Sequence, residues 1–230
     1  MRLALGAAAL LAVAPSAFSN PIEGRQSCPN IHIFGARETT APAGYGSAGT
    51  FVNLILNAYP GATAEAINYP AAGGTNAAYA SSVQQGTQNV ANQINNFNKQ
   101  CPNTKLVVVG YSQGAEIEDN ALCGGGDFNQ GVTYTNSLIS AAASKQIKAV
   151  IWAGNPRNSP AETFHYGTCT AGGFSARPSG FSCPTYQSLI RSFCDSSDPY
   201  CCNGNNAATH QGYGSEYGQN ALAFVKSKLG

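Results

Sequence analysis

The chain has 230 residues, a formal net charge of +1 and only 10% charged residues. Such a sparse charge excludes an electrostatic footprint for nucleic acid and a site built for acidic substrates. The length suits a single domain that buries roughly 70% of its unfolded surface.

The first residues, Met1-Arg2 followed by an apolar run to Ala14, read as the n- and h-regions of a signal peptide. Ala17-Phe18-Ser19 is a small-x-small cleavage site, so residues 1–19 are expected to be removed. The apolar run is too short to span a membrane. Residues 20–25, ending in Arg25, read as a pro-segment, which leaves a single catalytic domain over 26–230 beginning at or near Gln26. All eight cysteines (28, 101, 123, 169, 183, 194, 201 and 202) follow that point. An even count in a secreted chain predicts disulfides. No paired C-x-x-C suggests zinc, and no N-x-S/T acceptor for glycosylation occurs.

Ile31–Gly35 reads as a first strand, followed by a polar loop through Thr39. Phe51–Ala58 has apolar residues at helical spacing and stops at Tyr59-Pro60-Gly61. Ala64–Tyr69 is a second strand, then Ala71–Asn76 a glycine-containing loop. From Ala77 to Lys99, Val83, Val90, Ile94 and Phe97 form one stripe of a long helix. Leu106–Val109 is a buried strand, and Ala115–Leu122 a helix that Gly124-Gly125-Gly126 ends. Ser137–Lys145 is helical, and Lys148–Ala153 a fourth strand. Residues 157–209 are irregular, with a fifth strand over Ser188–Phe193, and a helix over Gly214–Leu229 closes the chain. Strands alternating with helices predict a parallel sheet covered on both faces. Sites in such sheets lie outside the carboxyl ends of the strands, where Thr39, Ser112 and Asn155 fall.

Gly110-Tyr111-Ser112-Gln113-Gly114 is a G-x-S-x-G match between a strand and a helix, the context that makes Ser112 a candidate nucleophile. Its bland reading is a tight turn with an ordinary serine. A nucleophilic serine needs a histidine base, and the base needs an orienting acid. His32 lies within a strand and reads as packed there. His165 and His210 follow Ser112, and only His210 has acids shortly before it, with the order Ser, acid, His. The acids are Asp195 and Asp198, both within Cys194–Cys202, where flanking cysteines would hold a carboxylate rigidly. An Asx turn is the structural alternative for either.

The segments Ile33–Thr40, Gly110–Gly114, Cys194–Cys202 and Thr209–Gly214 closely resemble the fungal acetylxylan esterases of the cutinase-like family, and the likeness covers residues 26–230. It implies a cutinase-like α/β-hydrolase sandwich with a five-stranded parallel sheet and no lid. It implies Ser112 as nucleophile, His210 as base and Asp198 as acid, with Asp195 a structural neighbour. Thr39 and the Gln113 N–H would form the oxyanion hole, with no metal or cofactor. It also implies the pairings Cys28–Cys101, Cys123–Cys183, Cys169–Cys201 and Cys194–Cys202. Two features depart from the family: the loop over 71–79 is shorter and lacks a cysteine pair, and Asn155 stands in place of an aspartate.

The expected substrate is an acetylated plant polysaccharide, attacked by a secreted monomer with no membrane or nucleic-acid partner. The small polar run Asn203–Thr209 and two rings, Tyr200 and Tyr213, suit a sugar ester better than an alkyl one. A cutinase acting on alkyl or polyester substrates is the nearest alternative. A non-catalytic wall-binding protein is the alternative of another class.

Overall fold

The computed structural model describes residues 27–230, so the signal-peptide and pro-segment readings lie outside the described residues. The strands are β1 (Ile31–Ala36), β2 (Thr63–Ala66), β3 (Lys105–Tyr111), β4 (Ile147–Ala153), β5 (His165–Tyr166) and β6 (Ile190–Phe193). The helices are α1 (Gly49–Ala58), α2 (Asn76–Gln100), α3 (Gln113–Cys123), α4 (Ala141–Gln146) and α5 (Ala207–Leu229). All pairings are parallel, in the order β2-β1-β3-β4-β6-β5.

Alternation along the strands sorts the apolar residues into two layers. Phe34, Leu106, Val108, Val150 and Trp152 face α2, α3 and α4, where Val90, Ile94 and Ile117 meet them. Ile33, Val107, Val109 and Ile151 face α1 and α5, where Phe51, Ile55 and Val225 complete the second core. With both faces covered, β3 and β4 read as nearly continuous apolar runs.

The sheet has six strands where five were expected. The sixth is the two-residue β5, which pairs with Ser192 and Phe193 and is too short to leave a periodic signal. A larger correction concerns α5, which begins at Ala207 rather than Gly214, with the Asn206 side chain accepting the Ala208 N–H. Glycine costs a helix about 1 kcal/mol, so Gly212, with Gly214 two residues on, argues against helix before Gly214. Gly212 has open space around it, while two later glycines are packing sites: a Cβ on Gly214 would meet Thr50 at 3.1 Å, and one on Gly218 would meet Leu54 at 3.0 Å. Their small size lets α5 approach α1 closely.

Among the described residues four disulfides form: Cys28–Cys101, Cys123–Cys183, Cys169–Cys202 and Cys194–Cys201. The first two are as expected, whereas the other two exchange partners relative to the expected pairs. Cys201 and Cys202 are adjacent, and which sulfur faces which partner depends on backbone direction alone. Cys201 turns toward Cys194 and the Tyr213 hydroxyl, leaving Cys202 for Cys169.

His32 packs in the first strand, as its sequence position suggested. It stacks on Phe97 at 3.9 Å and meets Thr63 Oγ1 at 2.6 Å. Burial lowers its pKa from 6.5 to about 4. The folded chain therefore holds it neutral where the unfolded chain already binds a proton. Its contribution to stability is complete above pH 6.5 and is lost as pH falls toward about 4. Urea unfolding followed from pH 7 to 4 should show that decline, and His32→Gln should make it shallower.

Candidate active site

β3 ends at Tyr111, and Ser112 takes φ 54° and ψ −122° before α3 begins. A non-glycine residue held there costs about 1–3 kcal/mol, which surrounding structure must offset. The motif glycines are required by space. A Cβ on Gly110 would lie 2.5 Å from Glu118 Oε2, and one on Gly114 would lie 2.2 Å from the Ala36 carbonyl oxygen. The second contact seats the start of α3 against the end of β1, so the loop after β1 shares a cleft with Ser112.

From Ser112 a continuous hydrogen-bond chain runs inward. Ser112 Oγ lies 2.9 Å from His210 Nε2, and His210 Nδ1 lies 2.7 Å from Asp198 Oδ2. Asp198 is fully buried. Its Oδ1 accepts the Tyr200 N–H at 2.7 Å and the Cys201 N–H at 3.1 Å, and its Oδ2 also accepts the Tyr213 hydroxyl at 2.8 Å. Burial by itself would raise this carboxyl's pKa. The hydrogen bond and charge of His210, with the Tyr200 N–H and Tyr213 hydroxyl, outweigh it and hold the group below its ordinary value. Asp195, the other acid, is occupied by Thr168 and by the Tyr217 hydroxyl at 2.9 Å. His165 is paired with Asn158 at 2.8 Å.

His210 sits in the first turn of α5, not in a preceding loop. The Tyr111 hydroxyl donates to its carbonyl at 2.6 Å. At the end of β4, Gly154 has φ 63°, and a Cβ there would meet the His210 ring at 2.6 Å. Neither support was visible in the sequence, because each depends on which strand ends become neighbours.

Thr39 lines the cleft, and Gln113 follows Ser112 as the first residue of α3. The Gln113 side chain faces inward, accepting from Ser82 Oγ at 2.8 Å and donating to the Ala72 carbonyl at 3.0 Å. Its backbone N–H and the Thr39 N–H and hydroxyl have no acceptor among the described residues. Non-glycine residues with positive φ among the described residues are Thr40, Ala71 and Ser112, and the Thr40 N–H donates to the Ala71 carbonyl at 2.7 Å. Buried Arg37 donates to the carbonyls of Ala41, Ile67 and Tyr69, which pins the loops after β1 and β2. The cysteine-free stretch over 71–79, whose last four residues open α2, is thus tied by donors from Thr40 and Gln113 and by the Ala72 N–H, which donates to Ser82 Oγ at 3.0 Å.

The cleft has a volume of about 700 Å³. The polar residues Thr39, Thr40, Thr75, Asn76, Asn129 and Gln130 are among those that line it. Asn203–Thr209, expected to form the polar wall, does not line it. Tyr200 lines it and is exposed, whereas Tyr213 is buried and hydrogen-bonded to Asp198 and to the Asp195 N–H, so it cannot stack on a ligand. Tyr213 lies one helical turn beyond His210, and a helix that starts at Ala207 puts the two on one face.

Behind the cleft lie buried ion pairs, Arg157–Asp127 at 3.0 Å and Arg177–Asp119. Asn155 donates to Asp119 Oδ2 at 2.9 Å and accepts the Arg157 N–H at 3.0 Å. An ionised aspartate at 155 would set two carboxylates against each other, so the asparagine suits this site. Glu116 and Glu118 are fully buried too, and burial raises both carboxyls well above the ordinary range.

A protein-family model described as Cutinase matches residues 27–229, and the chain belongs to that family. It is 60% identical to a Talaromyces purpureogenus protein named acetylxylan esterase 2, covering 97% of both chains. It is 58% identical to a Verticillium dahliae protein named cutinase 11, covering 96% of this chain and 76% of that one. A solved acetylxylan esterase structure, at 63% identity, superposes with a TM-score of 0.86 over 89% of this chain and 100% of its own.

Removing the Tyr213 hydroxyl takes a donor from Asp198 and leaves the Asp195 N–H without its acceptor. Tyr213→Phe should cost about 1–3 kcal/mol of stability by denaturant unfolding. It should also lower kcat on a small acetyl ester more than it changes KM.

Proposed function

We propose that this member of the cutinase family is a secreted serine esterase that removes O-acetyl groups from xylan through an acyl-enzyme. The observation that carries the reading is the hydrogen-bond chain from Ser112 through His210 to Asp198, with its outer end open to a cleft.

In this reading Ser112 Oγ attacks the acetyl carbonyl carbon while His210 Nε2 takes the hydroxyl proton. The carbonyl oxygen becomes an oxyanion that accepts from the Gln113 N–H and from Thr39. Asp198 stays ionised and steadies the imidazolium through Nδ1. As the intermediate collapses, the proton on His210 passes to the departing sugar oxygen and the acetyl group remains on Ser112. Water then attacks the acyl carbon as His210 takes its proton, and on collapse of the second intermediate the C–Oγ bond breaks, His210 returns the proton to Ser112 Oγ and acetate leaves. The strained, hydrogen-bonded backbone at Thr40, Ala71 and Ser112 supports an oxyanion site that is formed before substrate arrives.

The polar cleft walls favour a sugar ester. The 58% identity to the Verticillium dahliae protein named cutinase 11 is the observation that favours a second reading, an alkyl or polyester substrate as for a cutinase. Secretion rests on the signal-peptide reading of residues 1–19 together with four disulfides among the described residues. The mature chain in this reading is a monomer beginning near Gln26, after loss of residues 20–25.

Ser112→Ala should abolish acetate release, a loss of about 10⁶-fold in kcat, with the unfolding curve unchanged. Thr39→Val should lower kcat by about 10²–10³-fold with little change in KM, the size expected for one oxyanion donor. Acetate release from acetylated xylan should exceed hydrolysis of long-chain acyl esters; the reverse order selects the cutinase reading.

A further inference from the structure

Phe174 is an anomaly on this surface. The residue is 51% exposed. Yet the backbone beneath it is hydrogen-bonded at successive residues. The Gly173 N–H donates to the Asn158 carbonyl at 3.0 Å, and the Phe174 N–H to the Tyr200 carbonyl at 3.1 Å. The Ser175 N–H donates to the Pro156 carbonyl at 3.1 Å, and Arg157 Nη1 to the Ser175 carbonyl at 3.0 Å. A Cβ on Gly173 would lie 2.2 Å from the Pro156 carbonyl oxygen, so only glycine lets the segment press this close. Two buried ion pairs anchor the surrounding chain, through Arg157 and Arg177.

The ring also has a backing. Tyr79 meets it edge-on, with centroids 5.7 Å apart. The Tyr79 hydroxyl is turned away from solvent and donates to Glu116, which is fully buried on α3. Tyr79 is therefore held from the inside by its polar end, leaving its ring as wall. Both rings line the cleft that holds Ser112, together with exposed Asn76 and Asn129. A rigidly mounted, exposed aromatic ring bordered by amides is suited to the apolar C–H face of a pyranose, whose hydroxyl edge needs polar partners. An alkyl chain would leave those amides unpaired.

We propose that Phe174, backed by Tyr79, is a specificity-determining platform that receives a neighbouring pyranose ring of the polysaccharide backbone while the acetylated ring sits at Ser112. This inference rests on the esterase reading above. It assigns Phe174 to binding of the polymer and not to the ester chemistry.

The test compares the wild-type chain with Phe174→Ala, Phe174→Leu and Phe174→Trp. Leucine keeps apolar volume without a flat ring face and guards against a fold defect in the alanine variant. The substrates are acetylated xylan, 4-nitrophenyl acetate and 4-nitrophenyl dodecanoate, with xylotriose as an inhibitor of 4-nitrophenyl acetate hydrolysis. Alanine and leucine should each raise KM for acetylated xylan and weaken xylotriose inhibition by about tenfold, the scale of a lost aromatic contact. They should leave kcat on xylan and kcat/KM on 4-nitrophenyl acetate unchanged, and tryptophan should retain wild-type KM. An unchanged KM for xylan overturns the proposal while leaving the esterase reading intact. A parallel loss on 4-nitrophenyl acetate overturns it in favour of a structural role. A loss confined to the dodecanoate overturns it in favour of an acyl-chain wall. A wild-type chain that cleaves 4-nitrophenyl acetate but releases no acetate from xylan overturns the substrate reading and this one together.

Discussion

The approach of Gly114 to the Ala36 carbonyl is the contact on which the site depends. It lets α3 start against the end of β1, and so decides that the loop carrying Thr39 shares a cleft with Ser112. The turn itself is unfavourable, since Ser112 has a positive φ. What holds it is the parallel sheet on both sides. The Ser112 N–H donates to the Ala153 carbonyl at 2.8 Å, and the Glu116 N–H to the Ser112 carbonyl at 3.1 Å. The strain is thereby confined to one residue whose hydroxyl must project from the sheet.

The acid side of the site is built on a different principle. No strand or helix carries Asp198; it sits in a short loop clasped by Cys194–Cys201 and joined to a second loop by Cys169–Cys202. The Gly204 N–H donates to the Asp198 carbonyl at 3.0 Å, and a Cβ on Gly204 would lie 2.1 Å from the Ser197 carbonyl carbon. Covalent links and close packing substitute for the regular hydrogen bonding the loop lacks. Three donors besides His210 then keep the buried carboxylate ionised, which neutral burial would oppose.

Between these two halves the molecule hides much of its small stock of charge. Asp119, Asp127, Arg157 and Arg177 are all buried, and they brace the irregular segment between β4 and β6. Replacing one partner of such a pair leaves an uncompensated charge, so the network is demanding of sequence. Its effect is to brace a long irregular segment from within and to present Phe174 at the cleft.

The elements legible in the sequence were those with local signals. Apolar runs marked β1, β3 and β4, the stripe from Val83 to Phe97 marked α2, and three glycines ended α3. The candidate nucleophile was legible because G-x-S-x-G lies between a strand and a helix. Local chemistry left Asp195 and Asp198 open, and the structure separates them: one is occupied by Thr168 and Tyr217, the other meets His210. The remaining features were set by packing across the chain. Gly212 and Gly214 look like helix breakers, and only the fold shows Gly214 packed on Thr50 of α1, so the local pattern starts α5 at Gly214, beyond His210. An aromatic side chain does not announce in sequence which way it faces, and Tyr213, whose position suits a ligand contact, is buried against Asp198. Likewise nothing local tells Cys201 from Cys202. By itself the sequence determined the parallel α/β plan and the residue types able to act, since these follow from periodicity and side-chain chemistry. Only the tertiary structure decided which carboxylate meets His210, how the last four cysteines pair and which side chains wall the cleft, because each is a long-range contact between segments with no shared local pattern.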